Sequence, residues 1–463
     1  MNTSTKRILA LFSLCALCFA AGCQTDGTST SEQNSFESSS SIQTESSLED
    51  DSSSEEFSGD SSSSAETVDP PEEKTVETNA TQYVSAASYT LENGAYTISV
   101  AKDVEIDLSE YASQIEGEPV LVEDGIWGGV YPIQDGSDTS LVRLSYADFK
   151  GYVNHDFTIT FAKTEGGVVT KKTYVKITVY ACTYVIKTAE DLDAFGAMAK
   201  HVGGGDDTAV WDGHFVLGNN IAYNKEFTPF ITRQSVVKVA GNAGFVDVVN
   251  CGFKGTFDGQ GYNIEGLKMN CSAGWQADNG YGTMYTEPNA SGFIGLLHNA
   301  GTIKNVSFTN GEITTATTQA DGFLCYAANG KIENVYVHLK KVTKNGAGRF
   351  GTLVGLDARA ALQIRHCYVH IDSIAGSNTE NVFAIGSAHV GHLATGNLVH
   401  VYATGTLNGL KTLSTGKYTA DIYQAWSSKP NMKLANIEIT EENGWDLSLW
   451  TLDDDGCPIL KNA

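Results

Sequence analysis

Nothing in the 463 residues matches HExxH, the six cysteines beyond Cys23 include no CxxC pair, and no stretch concentrates lysine and arginine. The first absence excludes a zincin, which needs two histidines one helical turn apart with a glutamate base between them. The second removes support for a zinc ribbon or a dithiol redox centre. The third removes a nucleic-acid partner, which would require a basic face; Asp and Glu outnumber Lys and Arg by 55 to 30, for a formal net charge of −25. Long hydrophobic runs are missing too. The longest, Ile8 to Ala21, falls short of the roughly 20 residues that a membrane span needs.

That run nevertheless has a meaning. It follows Lys6 and Arg7 and ends in Ala20-Ala21-Gly22-Cys23, the layout of a secretory signal peptide. The four residues resemble a bacterial lipobox, with Ala20 where the motif prefers Leu, so residues 1–22 are expected to be removed and Cys23 to carry the lipid. From Gln24 to about Ala80 the chain is mostly Ser, Thr, Glu and Asp, with 15 acids against the single base Lys74. Such a segment has too few apolar residues for a core, and self-repulsion extends it. Residues 23–81 therefore read as a disordered acidic Ser-rich tether. Of the six cysteines beyond Cys23, Cys325 and Cys367 sit in apolar runs as small core residues, whereas Cys251 and Cys271 flank one turn region, where a disulfide is open.

Residues 82–182 carry short alternating runs (AYTISV, PVLVED, SLVRLSY, DFTITFA, TYVKITVYA) separated by turn-formers. The pattern predicts an immunoglobulin-like β-sandwich without the Cys…Trp…Cys framework, acting as a spacer. Residues 183–463 begin with a helix that Thr188 can cap, carrying Leu192, Phe195, Met198 and Ala199 on one face. The chain then repeats: SGFIGLL…GTIKNVSFTNGEI, DGFLCYA…GKIENVYVHLKKV, GTLVGLD…LQIRHCYVHIDSI and FAIGSAH…NLVHVYATGTL, with Gly295, Cys325, Gly355 and Gly386 as equivalents, 30, 30 and 31 residues apart. A period near 30 with strand signals and no second helix predicts a right-handed parallel β-helix (solenoid) whose first helix is an end cap. In GFKGTFDGQGYNIEGLKM, Asp258, Gly259 and Gly261 form a tight corner at the entry to the stack, with both glycines at φ > 0. NIEGLKM is aligned with TIKNVSF, so that Ile264, Leu267 and Met269 point inward.

GTFDGQGYNIEGLKM, the GFIGLL…GTIKNVSF repeats and the closing GWDLSLWTLDDDGCPILK resemble the GLUG-type β-helix repeats of bacterial surface proteins. These repeats also occur beside the catalytic region of zinc-dependent immunoglobulin A1 peptidases. The resemblance covers about Thr183 to Ala463 and implies architecture; the peptidase activity is not carried over, because its motif is absent.

Strand alternation turns Val306/Phe308, Val335/Val337, Cys367/Val369 and Val401/Ala403 inward. Outward lie Asn305, Asn334, His366 and His400; then Ser307, Tyr336, Tyr368 and Tyr402; then Thr309, His338, His370 and Thr404. Tyr336, Tyr368 and Tyr402 with His338 and His370 are therefore the candidate ligand-binding face, since Tyr offers a broad apolar ring and a hydroxyl. A purely structural ladder is the competing account. No catalytic set, cofactor or metal site is expected: Asp453-Asp454-Asp455 reads as a hairpin turn, Asp206-Asp207 as a loop turn, and His389-Val-Gly-His392 lacks a glutamate. The functional expectation is a lipid-anchored protein facing outward from a bacterial cell, binding an extracellular glycan or a host or matrix protein. A polysaccharide lyase or glycosidase, and a passive spacer, are the alternatives.

Overall fold

A computed structural model describes residues 69–100, 103–124, 130–131, 141–145, 154–198, 212–230, 252–272, 274–278, 284–288, 292–316, 320–358, 361–383, 385–386, 398–405, 439–454 and 456–463. All belong to one unit, Val68–Ala463. The chain is all-β, with one short α-helix among the described residues, and no described helix is long and apolar enough to cross a membrane. Cys23 and the tether up to residue 68 lie outside the described residues, as do Asp206, Asp207, Cys251, His389 and His392.

The first part consists of β1 (Glu72–Ser85), β2 (Ala87–Glu92), β3 (Ala95–Val100), β4 (Asp103–Asp107), β5 (Glu118–Asp124), β6 (Val130–Tyr131), β7 (Leu141–Ser145), β8 (Asn154–Glu165) and β9 (Val168–Cys182). One sheet runs β1-β9-β8-β5-β6 and β4 pairs with β7. Val104, Ile106, Val142 and Leu144 from the pair pack against Val122, Phe157, Ile159, Phe161 and Val175 from the sheet, enclosing one core. The expected boundary at residue 82 is corrected: β1 starts at Glu72, inside the segment expected to be tether. Its acids are not idle charge. It pairs in parallel with β9, where Lys171, Lys172 and Lys176 contact Glu72, Glu73 and Glu77, and Val76 supplies its buried anchor. A second correction concerns β2 and β3, which pair only with each other. Ala87, Tyr89 and Ile98 of this hairpin join the core of the following region.

That region starts one residue after β9 with β10 (Tyr184–Ile186) and α1 (Ala189–Met198), followed by β11 (His214–Leu217), β12 (Ile221–Ala222), β13 (Thr256–Asp258), β14 (Asn263–Glu265), β15 (Lys268–Cys271), β16 (Gly274–Asp278) and β17 (Met284–Pro288). Next come β18 (Leu296–Leu297), β19 (Thr302–Thr315), β20 (Ala320–Gly322), β21 (Cys325–Ala328), β22 (Lys331–Lys344), β23 (Arg349–Gly351), β24 (Val354–Ala358), β25 (Gln363–Ile371), β26 (Ile374–Ala375), β27 (Val382–Phe383), β28 (Leu398–Gly405), β29 (Trp450–Leu452) and β30 (Pro458–Leu460). An 11-stranded parallel sheet has the spine β10-β11-β13-β19-β22-β25-β28, and smaller parallel sheets β18-β21-β24 and β20-β23-β27 follow the same succession. Strands that pair in parallel across about 30 residues cannot be hairpins; each connection must return to the same edge.

The inward set is as read from the alternation: Val306, Phe308, Val335, Val337, Cys367, Val369 and Val401 are fully buried, and Ala403 nearly so. The Asp191 backbone N–H donates to Thr188 Oγ1, while Asp191 Oδ2 accepts the Thr188 and Lys187 N–H groups, a reciprocal N-cap. This fixes α1 so that Phe195 stacks on Phe230 at 4.4 Å and meets Phe215, Phe257 and Phe293. The helix thereby packs Leu192, Phe195 and Met198 into the main core.

Two registers differ from the sequence alignment. Ile264 pairs with Phe308, not Ile303, because it is Phe257 that lies beside Ile303; Ile264, Leu267 and Met269 are still buried. Leu296 pairs with Ala327, and Cys325 pairs with Val354, so Gly295 is matched one residue off. Cys325 is likewise one residue off its alignment with Gly355, and an irregularity between Cys325 and Ala327 brings Ala327 opposite Asp357.

Candidate functional site

The residues expected to line a ligand face do form rows. Ser307 pairs with Tyr336, Tyr336 with Tyr368 and Tyr368 with Tyr402, and the Tyr336 and Tyr368 rings stack at 5.6 Å. The rows are covered. Tyr336, Tyr368 and Tyr402 keep only 8%, 1% and 8% of their surface, and with Trp445, Trp450 and Leu460 they make a second apolar cluster outside the main core. The expectation of an exposed aromatic strip is thereby corrected. Three Tyr rings in line are a large apolar area, and the chain's own C-terminal segment, residues 439–463, buries it.

The segment is held by the neighbouring row as well. Asn305, Asn334, His366 and His400, expected as plain outward strand residues, all adopt the left-handed conformation, φ 54°, 52°, 50° and 51°. They are corners, one per repeat. Asn305 Nδ2 donates to Asp258 Oδ1, Asn334 Nδ2 donates to Asn305 Oδ1, and Trp450 Nε1 donates to Asn334 Oδ1. Farther along, His366 and His400 stack at 5.4 Å and both face Trp445, and His366 Nε2 lies 3.2 Å from the Asn443 carbonyl. Burial holds the His366 imidazole below its ordinary pKa. β29 and β30 form the expected hairpin, with Asp453 and Asp454 in its turn, where Asp453 Oδ1 accepts the Cys457 N–H.

The Phe-Asp-Gly corner belongs to the same row. Asp258 Oδ1 accepts the Gln260 N–H two residues on, as expected, and Lys304 pairs with its other oxygen at 3.0 Å. Gly261 has φ +80° but Gly259 does not take a positive φ; Gln260 does. Gly259 is required for a different reason. A Cβ there would lie 2.4 Å from the Asn305 carbonyl and from Val306 Cβ.

His338 and His370 are register partners on β22 and β25, with ring centroids 5.2 Å apart. Asp372, one residue past β25 and not expected from the sequence, lies between them: its two oxygens are each 3.0 Å from one Nε2. His370 Nδ1 contacts Thr404 Oγ1 at 2.7 Å, and that hydroxyl also contacts the Tyr368 phenol. Burial and the neighbouring His338 hold the His370 imidazole below its usual pKa, partly opposed by Asp372 and by Asp453 of the hairpin turn. Among the described residues this is the group whose nitrogen and oxygen atoms, all within 4.8 Å of one another, could hold a metal ion. The two histidines could be found by alternation. Asp372 could not, because its position depends on how the chain leaves the strand.

The thiols offer no second site. Cys325 and Cys367 are buried as expected, and burial pushes the Cys367 thiol up to about 12. Cys271 is a buried free thiol, and its candidate partner Cys251 lies outside the described residues. Searches against family models, curated proteins and solved structures return no match to this chain.

Proposed function

We propose that the chain is an exported bacterial surface lipoprotein, anchored by acylated Cys23 and facing outward. Its tether and immunoglobulin-like sandwich carry a right-handed parallel β-helix of the GLUG-repeat type, which serves adhesion or the binding of an extracellular glycan or protein. The observation that supports this reading best is the succession β13-β19-β22-β25-β28. Phe257, Ile303, Ile332, Ile364 and Leu398 sit side by side in register across it, with a left-handed corner at the same place in the last four repeats. A stack of this kind displays one extended face built from equivalent positions.

Because the Tyr ladder is covered, contact with a ligand falls to the uncovered rows. Lys304, Glu333 and Arg365 are successive register partners that continue from the buried Asp258, and their signs alternate, so the row has little net field and suits a neutral glycan or a mixed-charge protein surface better than a polyanion. Beside it lie Thr302, Lys331 and Gln363.

The test is an array of extracellular glycans and matrix proteins probed with the mature chain from Gln24 onward. The expected result is a ligand whose binding weakens about tenfold in a Lys331→Ala, Arg365→Ala double variant, as for two charged contacts at a polar surface. A folded parent chain that bound nothing on the array would remove the adhesion reading.

A further inference from the structure

We propose that His338, His370 and Asp372 form a site for a divalent transition-metal ion, best matched by Zn2+, that joins two adjacent repeats of the parallel sheet. The inference does not depend on the adhesive reading.

Neutral imidazole nitrogens and a carboxylate oxygen are the donors that Zn2+ takes, at about 2.0 to 2.2 Å each. Donors at that distance from one ion stand about 3.0 to 3.4 Å from each other for octahedral to tetrahedral angles. The two Nε2 atoms each lie 3.0 Å from a different oxygen of Asp372, and one donor atom from each of the three residues lies within 4.8 Å of the others, a set that side-chain rotation can close on one ion.

Two further features favour a ligand over a simple hydrogen-bonded triad. His338 Nε2 is shielded from solvent and, despite its closeness to Asp372, has no aligned hydrogen-bond partner. His370 is held at its other nitrogen by Thr404, the outer contact that orients a metal-binding imidazole and directs Nε2 at the ion. Backbone pairing sets the spacing: His338, His370 and Thr404 occupy successive positions of one row, so two of the donors are positioned before any ion arrives. Three protein donors leave one position of a tetrahedral ion to water or an external group.

Zn2+ alone is the probe. Calorimetric titration of the metal-stripped mature chain at neutral pH should show one tight equivalent, lost as the pH is lowered and protons displace the ion from its imidazole and carboxylate donors. Asp372→Asn, at a half-exposed carboxylate, should weaken binding by about 10- to 100-fold, and Thr404→Val by about 10-fold, each in protein that circular dichroism shows to be folded. His338→Ala with His370→Ala should abolish the equivalent in protein that circular dichroism shows to be folded, while His298→Gln, outside the group, should leave it intact. X-ray absorption of the loaded chain should show two imidazoles and no sulfur. The proposal is overturned if the folded parent shows no such equivalent, if Asp372→Asn binds as the parent does, or if the ion has a sulfur shell.

Discussion

Replacing Trp450 with Ala should detach the C-terminal segment while leaving the parallel sheet folded. Trp450 is 1% exposed, meets Trp445 edge-on at 4.9 Å and donates its indole N–H to Asn334 Oδ1 at 3.2 Å. Truncating a buried aromatic to Ala costs about 3 to 5 kcal/mol, and leaving Asn334 Oδ1 without its donor adds about 1 kcal/mol. A loss near 4 kcal/mol equals about three orders of magnitude in an opening equilibrium, at about 1.4 kcal/mol per tenfold. The cluster that loses it comprises Tyr336, Tyr368, Tyr402, Trp445, Trp450 and Leu460 and is separate from the main core. Local opening is therefore favoured over global unfolding.

Hydrogen exchange read by mass spectrometry distinguishes the two. Peptides covering residues 445–460 should exchange faster by up to about a thousandfold, limited by the rate of the unprotected amide. Peptides covering Ile303 to Phe308 and Ile332 to Val337 should keep their protection. An equal rise everywhere would mean that the segment and the sheet are one cooperative unit. Unchanged exchange at 445–460 would mean that Trp450 does not hold the segment. Either result refutes the account of a separately docked cover.

Cys23→Ala should release the protein from the membrane fraction into the medium, as immunoblots of the two fractions would show; retention to the parent's extent would place the anchor elsewhere. Gly259→Val should lower the melting temperature, since a Cβ there collides with the Asn305 carbonyl and Val306 at 2.4 Å and backbone must move to admit it, at about 1 to 3 kcal/mol; an unchanged melting temperature would contradict the close approach. Thr188→Ala removes the N-cap acceptor of α1 and should cost about 1 kcal/mol in urea denaturation. Acid should destabilise the fold. Burial lowers the His214 pKa from 6.5 to about 4 and lowers those of His366 and His370, so between pH 6.5 and 4 the unfolded chain binds protons that the folded chain does not, and stability declines as the pH falls. His214→Gln should shrink the drop in urea midpoint between pH 7 and pH 5, and an undiminished drop would clear His214 of the effect.

Much of this fold could be read from period-two alternation, because alternation is set by the backbone. Val306 and Phe308, and their equivalents in the later repeats, turn inward wherever a strand exists. The Thr188 cap was equally legible, its hydroxyl being three residues from the N–H it accepts. What alternation could not convey is a break in its own phase. Asn305, Asn334, His366 and His400 interrupt the strand with φ near +50°. Asn alone would have hinted at this, since its side chain tolerates that region; His at the two later positions concealed the equivalence. β1 was missed because composition was judged without its partner. Glu72, Glu73 and Glu77 look like tether until Lys171, Lys172 and Lys176 stand opposite. The cover over the Tyr ladder was missed although Trp445 and Trp450 were in plain view, because period says nothing about where a terminal hairpin docks.

The corner row and the cover explain each other. Four left-handed non-glycine residues in line carry strain, and each survives only where its surroundings over-determine it. At one end the surroundings are a chain of side-chain amides running from Asp258 through Asn305 and Asn334 to the Trp450 indole. At the other they are two stacked imidazoles closed by Trp445 and the Asn443 carbonyl. Amide ladders and imidazole stacks both need a partner at their open face, since a buried donor or acceptor left without one costs about 1 to 3 kcal/mol. The C-terminal segment supplies that partner for both halves and buries the Tyr rings beside them. The row next to the Tyr ladder, bearing His338 and His370, keeps partial exposure. Hence the aromatic rows that look most like a binding surface in the sequence dock the C-terminal segment, and the imidazole pair with Asp372 stays partly exposed beside them.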